Sequence, residues 1–300
     1  MTITTQKAGA PGTGSPIVPA AALIGGIVSV QFGAALAKGL FAAVGPEGAT
    51  TLRLIFGSLI LVVLMRPWRV RISRAVLPAL IGYGVSVAVM NLLFYMALKT
   101  VPLGITVALE FTGPLLVATL QSHRKLDILW VALAVAGILL LSPPVPTDHP
   151  VDPFGVACAL GAGGAWAVYI IFAQRAGAEL GHQTASIGMS IAAVLVLPVG
   201  LVHSGMALFQ PSILVSAVAV GIFSSALPFT LEMVALTRMP ARVYGTIAAL
   251  DPAAGALMGL VMLHEALTLG QWAGIAVVMI AASGSALTMR APKAMPEQVS

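Results

Sequence analysis

Hydrophobic positions in this chain run in blocks rather than in stripes. Ten apolar stretches, at about 17–44, 49–65, 75–98, 103–121, 127–142, 154–174, 184–203, 212–236, 242–263 and 271–289, are parted by short polar breaks. Each approaches the roughly 20 apolar residues that span a bilayer, so the pattern predicts ten transmembrane helices. The long connections are only 66–74 and 143–153, which leaves no soluble domain to house separate chemistry. Composition agrees. Charged residues are 8% of the chain and hydrophobic residues 59%, against about 25% charged in a soluble domain. The expected fold class is an all-α membrane protein.

Residues 1–16, rich in Thr, Gly and Pro, read as a disordered tail, and 290–300 as a second one. The first apolar run is too long for a signal-peptide core and lacks a cleavage site, so it is read as an uncleaved span. The single cysteine, Cys158, excludes an internal disulfide and a Cys-based metal cluster. No cofactor and no metal are expected.

A pI near 9.7 raises the question of nucleic acid, and the placing of the charges answers it. With the N-terminus cytoplasmic, Lys7, Arg66, Arg69, Arg71, Arg74, Arg124, Lys125, Arg175, Arg238, Arg242, Arg290 and Lys293 all fall on the inner side, and outer loops hold only Lys99. The positive-inside rule therefore accounts for the basic charge, with both termini cytoplasmic.

Ala97-Leu98, Pro102 and Pro114 reappear as Ala235-Leu236, Pro240 and Pro252, at a constant offset of 138 residues. Five spans per half is an odd number, so the second copy starts from the opposite face. Two inverted five-helix repeats, 17–142 and 154–289, follow. Trp130 and Trp272 then open spans five and ten. Proline within a span removes a donor and frees a carbonyl, and paired broken helices in the two halves point to a central binding site; a packing kink is the alternative. Small residues at Gly25, Ser29, Gly33 and Ala37, at Gly161 and Ala165, and at Gly255 and Gly259 predict close helix contacts within the chain.

Polar groups at membrane depth mark the candidate site, because they are costly in lipid. Glu110 lies near the middle of span four. A carboxyl there can carry a proton through an alternating-access cycle, or bridge helices as a static acid. Asp251, directly before Pro252, either caps the second part of a broken helix or contacts substrate. Lys38 and Arg53, near the outer ends of spans one and two, either snorkel or pair with Glu110 or a substrate carboxylate. Asn91 and Gln31 are neutral polar groups at depth. Trp166 and Tyr169, three apart, share a helix face. Glu232 is expected to pair with Arg238, and His264-Glu265 reads as a solvated helix end. Neither HExxH, GxSxG nor a P-loop occurs, so no enzyme class is indicated.

The chain resembles the drug/metabolite transporter superfamily of the EamA type. The run from Gly259 to Gly274, with Leu263-His-Glu265 and Gln271-Trp272, is similar to that family's repeat ending. Within it the likeness is to the bacterial inner-membrane exporters of threonine and homoserine. It is carried by Ala34 to Phe41, Thr51 to Leu54, Val101 to Ile105, Ala108 to Leu115, Gln174 to Glu179 and Leu231 to Arg238, and covers nearly all of 17–290. The resemblance implies export of small amino acids, driven by proton exchange, from a cavity between spans three, four, eight and nine. That would place Glu110, Asn91 and Asp251 beside it. The subgroup's pattern has Glu where this chain has Asp251. Another metabolite or a drug is the rival substrate class, and a non-transporting membrane sensor or enzyme the more remote reading.

Overall fold

The computed structural model describes residues 17–120, 125–141, 152–236 and 238–288. The expected tails at 1–16 and 290–300 lie outside the described residues. Helices account for nearly all of the described chain, and it contains no strand. The first part comprises α1 (Ile17–Gly39), α2 (Phe41–Met65), α3 (Leu77–Leu98), α4 (Leu103–Glu110), α5 (Thr112–Leu120) and α6 (Lys125–Leu141). The second comprises α7 (Pro153–Leu180), α8 (Gln183–Ser204), α9 (Pro211–Gly221), α10 (Leu227–Leu236), α11 (Ala241–Ala248), α12 (Asp251–Leu263) and α13 (Leu269–Thr288). A π turn, Ile222–Ala226, joins α9 to α10. Eight helical stretches are long and apolar enough to cross a membrane, and two shorter ones, Leu103–Val117 and Ile128–Leu141, stand where spans four and five are expected.

The first boundary differs from the sequence reading. The chain turns at Gly39–Leu40, so Phe41–Val44 already belongs to α2. Gly45 takes a φ of +66° inside that helix, and Pro46 follows. Glycine accepts the left-handed angle without strain, and a proline opening a straight segment loses no hydrogen bond. The expected loop at 45–48 is therefore a kink. Likewise α7 runs past 174 to Leu180, where Gly181, at φ +57°, donates its amide to Gly177 O. Gln174, Arg175, Ala176 and Glu179 are good helix formers, so the helix outlasts its apolar block.

Both expected breaks occur, each upstream of its proline. Span four breaks at Phe111, and Pro114 is the third residue of α5; span nine breaks at Ala249–Leu250, and Pro252 is the second residue of α12. A proline ring clashes with the carbonyl four residues back, which is Glu110 in one case and Ala248 in the other. The break falls there, and the proline sits in a first turn, where its missing amide costs nothing.

Helices pack across the two parts: α2 on α8, α4 on α12 and α6 on α13, with α3 on α7 and α1 on α10, α3 on α8 and α2 on α9, and α4 on α7 and α1 on α11. Lipid tails are as apolar as the helices, so close packing of small residues holds such a bundle together. On the stripe of α1, a Cβ at Gly33 would lie 2.7 Å from Ser224 N, and Ser29 Oγ donates to Phe223 O at 2.6 Å.

The start of α7 is fastened to the end of α3. Asp152 caps α7 by accepting from the Phe154 and Gly155 amides, and also accepts from Thr100 Oγ1 at 2.8 Å. The Thr100 hydroxyl first, and then the two amides, hold this carboxyl below the ordinary range. Its contribution to stability is thus complete above about pH 4, the ordinary Asp value, and fades as pH falls through the depressed value. Asp152→Asn is expected to flatten that acid limb, read from melting temperatures of detergent-solubilised protein across an acid titration.

Candidate functional site: a charged cavity between the helices

A cavity of about 660 Å³ lies inside the bundle, and Arg53, Glu110, Glu232 and Asp251 are the charged residues on its wall. Asn91, Trp166, Tyr169 and Pro114 line it as well. Lys38, in contrast, is not on the wall, and Pro252 is buried behind Asp251.

The packing of α4 on α12 sets the level of the two central acids. A Cβ at Gly104 would lie 2.5 Å from Ala256 Cα, one at Gly255 would lie 3.2 Å from Val107, and Gly259 faces Leu103. The helices are therefore antiparallel, and the register carries Glu110 opposite Asp251, where both helices break. Glu110 is 9% exposed, and no hydrogen bond or ion pair with another described residue reaches its carboxylate. Asp251 Oδ1 accepts from Gln31 Nε2 at 2.8 Å. Gln31 Oε1 is buried with no partner among the described residues.

Arg53 supplies the positive charge. Its Nη1 donates to Tyr95 Oη at 3.3 Å, and its guanidinium carbon stands 5.5 Å from the centre of the Tyr95 ring. Its Nε is buried and unpartnered among the described residues. Asn91 Nδ2 donates to Val87 O at 2.8 Å, one turn back on its own helix. Trp166 meets Phe111 edge-on at 5.6 Å, and Tyr169 stacks beside Tyr83 at 4.9 Å. The arrangement offers unpaired charges of both signs inside an aromatic wall.

Three sequence readings change. Asp251 does not cap with its side chain: the cap position is Leu250, and Asp251 is already the first helical residue. There its carboxylate still favours the positive end of the helix dipole, while Gln31 fixes its direction. Glu232 does not pair with Arg238. It accepts from the Tyr244 hydroxyl on α11, while Arg238 is exposed, because Glu232 faces the cavity rather than the turn. Glu265 is not solvated. His264, at φ +55°, ends α12 in the left-handed conformation and turns the chain back, and the Glu265 amide donates to Gly259 O at 3.0 Å. Glu265 Oε1 then accepts from Lys38 Nζ at 2.6 Å, and Oε2 from the Leu103 amide at 2.7 Å. Gly259, which has no side chain, leaves room for that carboxylate: a Cβ there would lie 2.5 Å from Oε2. Lys38 thus ties α1 to the end of α12 and the start of α4, away from Glu110.

Sequence reasoning missed Tyr244, Tyr83 and the Ser224–Ser225 pair, all of which line the cavity. The serines sit in the π turn, a local widening that recurs at functional sites but leaves no mark in the order of residues.

Long apolar helices around a charged cavity fit a multi-pass membrane protein, and comparison with known proteins makes it a transporter. The chain belongs to the EamA-like transporter family, whose model matches residues 153–287. It is 48% identical over 273 residues to the threonine/homoserine exporter RhtA of Salmonella typhimurium (strain LT2), covering 91% of this chain and 92% of that protein. It is 47% identical over 273 residues to the exporter of the same name in Escherichia coli (strain K12), with the same coverage. An uncharacterized transporter of Bacillus subtilis (strain 168), YwfM, is 26% identical over 256 residues, covering 81% of this chain and 86% of its own. One solved crystal structure superposes with a TM-score of 0.59 at 19% identity, covering 90% of this chain and 99% of its own; that likeness is one of fold.

Proposed function

We propose that this protein is a secondary active transporter that exports threonine- and homoserine-like amino acids across the bacterial inner membrane in exchange for protons. The observation that carries the reading is the pairing, in one cavity, of a guanidinium whose Nε has no partner and a carboxylate that has none, both among the described residues. A zwitterion supplies the opposite charges: its carboxylate to Arg53 and its ammonium to Glu110 and Asp251. Glu110 is the group that exchanges the ammonium for a proton. The exporters at 48% and 47% identity support this substrate class.

Ten spans in two inverted repeats, with both termini cytoplasmic, complete the reading. The packing pairs support it: exchanging the two parts turns α3 on α7 into α1 on α10, α3 on α8 into α2 on α9, and α4 on α7 into α1 on α11. Lys38, Glu265 and the Leu103 amide then lie on the outer side and close it. Lys38→Gln is expected to open that side, so that Ala34→Cys, in a Cys158→Ser background, reacts faster with an impermeant thiol reagent added to whole cells.

Counterflow of labelled threonine, homoserine and serine in proteoliposomes tests the function. Exchange of all three labels at the rate of empty liposomes would end it. The rival, export of a larger metabolite by the same fold, is favoured by one observation. The cavity's 660 Å³ falls within the roughly 300–1,000 Å³ of sites for drug-sized ligands. Competition by unlabelled candidates in the same assay separates the two.

A further inference from the structure

Glu232 has no part in the binding pose just described, and distance is the reason. Ser224 and Phe223 lie against Gly33, while Pro228 and Leu231 lie against Gly26, so α10 runs antiparallel to α1. Since α1 and α2 form a hairpin, α2 and α10 run the same way. A Cβ at Gly57 would lie 2.6 Å from Ser225 Oγ, which fixes their register. Arg53 is one turn before Gly57, and Glu232 is two turns beyond Ser225. At 1.5 Å per residue their Cα atoms stand roughly 16 Å apart along the axis, and because side chains on helices that run the same way tilt the same way, toward the N-terminus, the charges keep most of that separation. The ammonium and carboxylate of an α-amino acid are joined through one carbon and lie only about 3 Å apart. One zwitterion held by Arg53 therefore does not reach Glu232.

Yet Glu232 is built as a site. It lies on the wall of the same cavity, with Tyr244, Tyr83 and Tyr169 lining it too. The Tyr244 hydroxyl donates to Oε1 and fixes the carboxylate. Its second oxygen, Oε2, takes no hydrogen bond from another described residue. A carboxylate with one oxygen that takes no hydrogen bond from another described residue, in a cavity lined by three tyrosines, suits a primary ammonium group, which donates to the oxygen. Among the described residues, nothing cationic on the cavity wall other than Arg53, a separate station, competes for it.

We propose that Glu232, oriented by Tyr244, forms a second binding station, specific for a primary ammonium group, at the end of the cavity away from Arg53. The inference rests on the amino-acid reading above for its place in transport. In the inverted-repeat topology this end faces the cytoplasm, so the station is where substrate is first held before it moves on to Arg53 and Glu110. Because no cation among the described residues stands beside Glu232 to require a carboxylate, the station also accepts amines that have none.

Butylamine is the probe, and its binding to full-length protein in detergent is read by calorimetry, independently of flux. Binding is expected in the wild type, with at least a tenfold weaker affinity in Glu232→Gln and a smaller loss in Tyr244→Phe; size-exclusion profiles confirm that the variants fold. In proteoliposomes, Glu232→Gln is expected to raise the KM for threonine more than it lowers kcat. Equal butylamine affinity in wild type and in both variants overturns the station. Glu232-dependent butylamine binding without any threonine counterflow supports the station and removes the amino-acid reading instead.

Discussion

Glu110→Gln is expected to abolish pH-dependent export of threonine while leaving the fold intact. The substitution keeps the shape of the side chain and removes its capacity to alternate between a carboxylate and a carboxylic acid. Two consequences follow. In the proposed pose, replacing the carboxylate would remove a charge-assisted contact to the substrate ammonium, worth about 1.5–3 kcal/mol, or roughly 10- to 100-fold in affinity. In the proposed proton exchange, loss of the exchangeable proton would uncouple what transport remains. Efflux from threonine-loaded vesicles should therefore fall by at least about tenfold and no longer respond to an imposed pH gradient. Since the Glu110 carboxylate makes no hydrogen bond to another described residue, none among them is lost with the charge, and thermal stability should hold. Wild-type efflux with an intact pH response in Glu110→Gln would remove the coupling role.

Gly113→Ala is expected to have the largest effect on stability. A methyl group on Gly113 would be driven into the Gly163 carbonyl oxygen and would lie 2.7 Å from its carbon. Both are backbone atoms within α7, so no rotamer change relieves the clash. A Cβ on Gly163 would in turn lie 2.7 Å from the Glu110 carbonyl oxygen, the carbonyl that Pro114 leaves without its usual amide. Overpacking of this kind costs about 1–3 kcal/mol, and here it falls at the break in span four. Gly164→Ala is the control. A Cβ there meets nothing within 4 Å, and alanine gains up to about 1 kcal/mol in a helix interior. Melting of the two variants in detergent should therefore move in opposite directions. Similar melting of both variants would mean that the α5–α7 contact yields more readily than its geometry says.

Much of this was legible in the sequence because lipid imposes a simple code. Block lengths located the helices, since a span must be both long and apolar. The costly residues led to the cavity for the same reason: Glu110, Asp251, Arg53 and Asn91 all line it. What the sequence hid was direction. Whether Glu232 faces Arg238 or Tyr244 depends on the rotation of α10, which the π turn before it resets. Whether Glu265 meets water or Lys38 depends on one left-handed residue, His264. Lys38 was placed at the right end of its helix, but its partner lies 227 residues away, beyond what local spacing encodes. Prolines mislead by a fixed amount, because the helix each one interrupts ends four residues upstream of it, at Glu110 and at Ala248.

The glycines between α4 and α12 carry a mechanical implication. Gly104 lies against Ala256, and Gly255 against Val107, so these half-helices touch almost backbone to backbone. Each is separated from its own continuation by a broken turn, at Phe111 and at Ala249–Leu250. Glu265 then fastens the free end of one to the first amide of the other. A displacement of α4 is therefore expected to carry α12, on the far side of the chain's midpoint, more directly than α5. The rigid body in this protein is a graft of two pieces distant in sequence, and the joints are where the chain itself is continuous.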